Sequence, residues 1–219
     1  MTKREKREQI VDKIVNAARE YKKYLLGRTF MFVFDKKYIE VSFRKEEFAH
    51  LTGVDRKMSA KEFYKEAVRG TLRQNQIYFS SRYPFDLCEK KMKELDKLPQ
   101  ALHQDGFILE EISAHSVCYK FGFSELNFTL CFGQDLDGTG NKRSEYYLAK
   151  SFRIGDCFER SSNVYDIEYI FSKRNNQRLY NEILLDNKGL GELPLEARKL
   201  LDETLIFEKF LKTLDVNGQ

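Results

Sequence analysis

Between Tyr38 and Tyr64 the hydrophobic period changes from that of a strand to that of a helix, and this switch does most to limit the folds open to the chain. Over Tyr38–Phe43, the residues Tyr38, Glu40 and Ser42 alternate with Ile39, Val41 and Phe43, as in a half-buried strand. From Glu46 the alternation stops. Phe48 and Leu51 stand three apart, which puts both on one face of a short helix. Gly53 follows where a helix end wants a residue free to take positive φ. Ser59-Ala60-Lys61-Glu62 then reads as a capping box: the Ser59 hydroxyl accepts from the backbone N–H of Glu62, and the Glu62 side chain reaches back. Phe63, Tyr64, Ala67 and Val68 give that second helix its buried face.

The flanking sequence extends the pattern. Residues 4–26 form an amphipathic helix carrying Ile10, Ile14, Ala18 and Leu25 on one face and Lys and Arg on the other. Thr29–Phe34 is a strong strand, and the short polar link Asp35-Lys36-Lys37 predicts a hairpin with the next one. Ser80-Ser81-Arg82 is a basic, hydroxyl-rich loop before Tyr83-Pro84. Asp86 caps a helix reaching to about Gln104, split at Pro99. Lys91 joins its apolar stripe through the stem alone, and Lys90, Lys91, Lys93 and Lys97 are read as a solvated face. Strands are expected over Phe107–Ile112, Val117–Phe121, Leu126–Phe132, Val164–Ser172 and Arg178–Leu185. Gly133–Arg143 reads as an exposed hairpin loop; Asp135 and Asp137 lack the further ligands and flanking helices of a calcium loop. Pro194 opens a helix with an apolar stripe through Ala197, Leu201, Leu205 and Leu211. The fold class is therefore α+β: N-terminal helices packed on a mainly antiparallel sheet, with a C-terminal helix. Residues 1–188 are expected to form a single domain and 189–219 a helical extension that docks on the domain, binds a partner or makes a homodimer contact.

Charge balance narrows function less. Among 219 residues, 38 Lys and Arg against 34 Asp and Glu give a net charge of +4, which permits nucleic-acid binding without demanding it. The 4 cysteines are widely separated, with no C-x-x-C spacing, so reduced thiols are expected and no metal site. No apolar run is long enough to span a membrane, and no signal core follows the charged N-terminus, so a cytoplasmic protein is expected.

Two segments carry chemistry. His50 is a natural general acid/base, because imidazole titrates near neutral pH. Glu145–Arg153 concentrates Tyr146, Tyr147, Lys150, Ser151 and Arg153; aromatics stack on bases and cations pair with phosphate, as single-stranded RNA recognition requires.

Phe48, His50, Leu51, Thr52 and Gly53, then Ser59, Lys61, Phe63 and Tyr64, resemble a motif of the phage-associated nucleases of the Barnase–EndoU–Colicin E5/D–RelE-like superfamily, most closely the fourth group. Tyr146-Tyr147 with Lys150-Ser151-Phe152 through Asp156, and the strand pair Ile167–Lys173 and Tyr180–Leu185, continue the resemblance over most of residues 20–188. It implies a RelE/barnase-like core and a metal-independent RNase of a phage or mobile element, acting without cofactor in a bacterial host's cytoplasm. The RNA's 2′-hydroxyl would attack the adjacent phosphate. The resemblance selects His50, Lys61, Ser151 and Lys173 as catalytic, with Thr52, Tyr147, Lys150 and Arg153 on the RNA. The partner would be tRNA, mRNA or a guide RNA. The alternative on the same fold is a non-catalytic anti-defence inhibitor, anti-CRISPR-like, that binds a host protein or ribonucleoprotein.

Overall fold

The computed structural model describes residues 2–114 and 117–205. Helix α1 (Lys3–Glu20) starts at a capping box between Thr2 and Glu5 and runs into a π turn over Tyr21–Leu25. Strands β1 (Arg28–Phe34) and β2 (Lys37–Ser42) form the expected hairpin. Asp35 and Lys36 both take positive φ, 44° and 59°, so this two-residue turn matches the twist of its strands without glycine. Helix α2 (Phe48–Thr52) ends at Gly53 with φ 69°. The short strand β3 (Asp55–Arg56) follows, then α3 (Ala60–Arg69), capped by Ser59 and Glu62. Next come β4 (Ile77–Tyr78), which pairs with β3, α4 (Phe85–Leu95) and α5 (Leu98–Ala101). The α4–α5 break falls just before Pro99, which cannot supply the backbone N–H that a continuous helix needs.

The remaining strands are β5 (Phe107–Ala114), β6 (Val117–Ser124), β7 (Phe128–Leu136), β8 (Lys142–Ile154), β9 (Asn163–Asp166), β10 (Tyr169–Arg174) and β11 (Glu182–Asp186). They build a nine-stranded sheet with β1 and β2, in the order β11-β10-β1-β2-β8-β7-β6-β5-β9. Every pairing in that sheet is antiparallel except β2 with β8, where Val41 pairs with Tyr147 and Ser42 with Leu148. The fold is α+β with a mainly antiparallel sheet.

The stretch expected as one strand over Val164–Ser172 is two. Ile167 and Glu168 turn a corner between β9, at one sheet edge, and β10, beside the other edge. The Ile167 N–H donates to Gly106 O and the Glu168 N–H to Val33 O, which satisfies the backbone at that corner. The sheet therefore curls round on itself. Across the concave side Phe32 meets Phe123 and Phe132, and Phe34 meets Phe121 and Tyr165. With 18 Phe and no Trp in the chain, phenylalanine does most of this filling. Helices α1 to α4 cover the open side through Ile14, Tyr21, Phe48, Phe63 and Met92.

The convex side has its own apolar layer: Met31, Val33, Tyr169, Phe171 and Tyr180 pack against Leu193, Ala197 and Leu201. Helix α6 (Leu195–Arg198) lies in that layer. The long helix expected from Pro194 is interrupted at Leu201, which bridges to Tyr180, and a further helical turn starts at Glu203. The Leu211 end of the expected stripe lies outside the described residues. The loop between β7 and β8 is shorter than expected, and Asp135 is not exposed. It is 1% accessible, accepts from both terminal nitrogens of Arg44, and accepts from the Ser144 hydroxyl. No helix among the described residues is long and apolar enough to cross a membrane.

Candidate active site

Strand β8 carries an irregularity that makes the site. Cys131 on β7 pairs with Ser151, but the next residue, Phe132, pairs with Ala149, so Lys150 is an extra, bulged residue. Ala149 and Phe152, three apart, both enter the core. Lys150, Ser151 and Arg153 are left to face a cleft of ≈ 590 Å³. Helices α2 and α4 pack against β8 and form the other wall. From α2 comes His50, exposed to the cleft; from α4 and its preceding loop come Arg82, Tyr83 and Lys91; Tyr119 and Arg160 complete it. Among the described residues the lining holds several cations and no carboxylate.

Electrostatics follow from this arrangement. Partial removal from water holds the His50 pKa below the ordinary imidazole value, Glu47 opposes this, and Arg56, Lys150 and Arg82 add to it. Lys150 is ion-paired with Glu47 at 2.5 Å. Arg153 lies over the Tyr119 ring, 5.8 Å from its centre, and its Nε is buried with no hydrogen-bond partner among the described residues. The Cys131 thiol behind Ser151 is pushed up to about 12 by burial, which makes it an inert packing group.

Lys91 is the unusual member. Only 7% of it is accessible, and burial pushes its pKa down to about 8. The other charged or titratable groups acting on it are Cys88 on its own helix, Arg153 on β8 and Cys131 on β7. None is a carboxylate. Its Nζ stands 5.8 Å from the centre of the Tyr83 ring. Gly53, which ends α2, packs on its stem; a Cβ there would lie 2.7 Å from Lys91 Cδ.

Of the residues expected at the site, His50, Lys150, Ser151 and Arg153 share this cleft. The other four are elsewhere. Thr52 is fully buried and its hydroxyl donates to Ala49 O at 2.8 Å, so it is satisfied within α2. Lys61 is exposed in the first turn of α3, outside the cleft lining. Tyr147 is half-buried, packed edge-on against Phe121 with ring centres 5.2 Å apart. Lys173 projects to the convex side, the side of Tyr169 and Phe171. It is 6% accessible, 3.6 Å from Glu40, above the Tyr180 ring and bonded to Arg178 O, in a network that ties β2, β10 and the segment after β10 together.

Sequence reasoning gave no site role to Lys91, Tyr83, Tyr119 and Arg160, and singled out Arg82 only as part of a basic, hydroxyl-rich loop able to bind an anion. For Lys91 a signal exists: it stands at i+4 from Leu87 and i−4 from Leu95, in the middle of an apolar stripe. A wider groove of ≈ 830 Å³ lies between α1 and residues 72–75. It sets Arg4, Arg7 and Arg73 against Glu8 and Asp12 and has no imidazole. Among the described residues, no group of three or more His, Cys, Asp or Glu is placed to hold a metal ion.

No curated protein and no solved structure matches the chain. A family model does, described as phage-Barnase-EndoU-ColicinE5/D-RelE like nuclease 4, over residues 13–189. That span contains all of the strands and cleft residues among the described residues. The chain therefore belongs to the phage-Barnase-EndoU-ColicinE5/D-RelE like nuclease 4 family.

Proposed function

We propose that this nuclease is a metal-independent endoribonuclease in which His50 acts as general base. The observation that carries the reading is the position of His50: an accessible imidazole, whose neutral form its surroundings favour, in a cleft lined among the described residues by cations and hydroxyls with no carboxylate. RNA brings its own nucleophile. His50 takes the 2′-hydroxyl proton, the 2′-oxygen attacks the neighbouring phosphorus, and a 2′,3′-cyclic phosphate and a 5′-hydroxyl result. Charge gathers on the non-bridging oxygens of the pentacoordinate state. Arg153 is the cation for that charge, because its guanidinium opens into the cleft and no carboxylate ties it down among the described residues. The Ser151 hydroxyl donates to the same phosphate. Lys150, ion-paired with Glu47, serves the flanking strand with Arg82 and Arg160. Tyr83 and Tyr119 offer ring faces for bases.

The reading is tested by incubating the purified protein with a mixture of tRNA, mRNA and guide RNA in EDTA, wild type beside His50→Ala. Cleavage by the wild type and a loss of at least about a hundredfold in the variant is the expected result. Undiminished cleavage by a folded His50→Ala protein overturns the role given to His50. A folded wild type that leaves every RNA intact but retains a protein or ribonucleoprotein overturns the catalytic reading.

A further inference from the structure

Attack by the 2′-oxygen needs a second proton transfer, to the 5′-oxygen as its bond to phosphorus breaks. Resting on the endoribonuclease reading above, we propose that Lys91 is the general acid of the cleft and delivers that proton. Nucleophile and leaving group stand on opposite sides of phosphorus in an in-line displacement, so acid and base must approach from different directions. His50 and Lys91 both line the cleft and reach it from different elements, α2 and α4. His50 is acted on by Glu47, Arg56, Lys150 and Arg82, and Lys91 by Cys88, Arg153 and Cys131. Arg153, assigned to the phosphate, lines the same cleft and lies close enough to act on the Lys91 charge.

The side chain is also held for a task. Gly53 and the Tyr83 ring confine the stem and head of Lys91, so little rotamer freedom is left to lose when a substrate arrives. Desolvation has brought its pKa from 10.5 to about 8. At pH 7 the ammonium is still the main form, yet it gives up a proton far more readily than a lysine in water. The proton balance closes. His50 gains the 2′-hydroxyl proton, Lys91 loses one to the 5′-oxygen, the P–O5′ bond breaks as the O2′–P bond forms, and exchange with water restores both groups.

The test replaces the bridging 5′-oxygen at one linkage of an RNA oligonucleotide by sulfur, a leaving group that departs without protonation. Single-turnover cleavage is measured in EDTA for wild type and Lys91→Met on both oligonucleotides. The expected outcome is a loss of about a hundredfold or more on the oxygen substrate and a rate within about tenfold of wild type on the sulfur one. In the wild type, the fall in rate near pH 8 is present for oxygen and absent for sulfur, a readout that needs no variant. Lys91→Arg keeps the charge but does not release a proton near neutrality, so it fails on oxygen too. Equal losses on both substrates, or cleavage of oxygen restored by Lys91→Arg, overturn the acid role in favour of charge alone. A wild type that cleaves neither oligonucleotide removes the endoribonuclease reading itself, and the proposal with it.

Discussion

Lys91→Met should make the protein more stable while making it a worse enzyme. The wild-type ammonium is held with 7% accessibility and no carboxylate paired with it among the described residues, so the folded state opposes its charge. A fall from 10.5 to about 8 corresponds, at about 1.4 kcal/mol per tenfold change in the ionisation constant, to about 3 kcal/mol. Met keeps an unbranched stem of similar length against Gly53 and loses the charge. The gain expected at pH 7 is about 2–3 kcal/mol, or roughly 5–10 °C in Tm for a chain of this size. The pH dependence identifies the cause. Because the folded pKa of Lys91 is depressed, between about 8 and 10.5 the unfolded chain binds more protons than the folded one, and wild-type stability rises with pH across that window. The variant lacks this rise. The advantage of Lys91→Met should be full below pH 8 and gone by about 10.5, measured by urea unfolding at several pH values. A variant less stable than wild type at pH 7, or a difference that does not change with pH, would refute the reasoning.

Further outcomes follow from the same geometry. The pH profile of kcat/KM for RNA cleavage should be a bell: the acidic limb, from protonation of His50, lies below the ordinary imidazole value of about 6.5, and the basic limb, from Lys91, lies near 8. An acidic limb above 6.5 would contradict the account of His50. Gly53→Ala, at φ 69° and with its Cβ 2.7 Å from Lys91 Cδ, should cost about 1–2 kcal/mol from the left-handed backbone alone and also lower the rate by displacing Lys91. Wild-type stability with a wild-type rate would contradict both effects. Lys61→Ala should leave cleavage within about twofold of wild type, since Lys61 is exposed outside the cleft; a loss above about tenfold would put α3 back in the site.

The sheet was largely legible because its signals are local. A continuous apolar run marked β1, alternation marked β2, and Gly53 and the Ser59–Glu62 box marked the helix boundaries, each within a few residues of sequence. The corner at Ile167–Glu168 was not, because strand-forming residues, Val164, Tyr165, Ile167 and Tyr169–Phe171, stand in it and on both sides of it while the backbone bonds that turn it come from Gly106 and Val33. The site was half legible for a related reason. Lys150, Ser151 and Arg153 could be grouped by sequence, but the bulge that aims them depends on register with β7. Lys173 and Lys91 are both lysines in apolar surroundings, and only the tertiary fold decides that one is locked against Glu40 while the other lines the cleft that holds His50. Thr52 reads like a phosphate ligand until its hydroxyl finds Ala49 O inside its own helix.

The central claim, that the substrate's own 2′-hydroxyl is the nucleophile activated in the His50 cleft, is tested most directly by a DNA oligonucleotide carrying a single ribonucleotide, incubated in EDTA. The account predicts one cut, immediately 3′ of the ribonucleotide, leaving a 2′,3′-cyclic phosphate and a 5′-hydroxyl, and none with His50→Ala. Cleavage of the all-deoxy strand, or a cut at the ribonucleotide that leaves a 5′-phosphate, would contradict it.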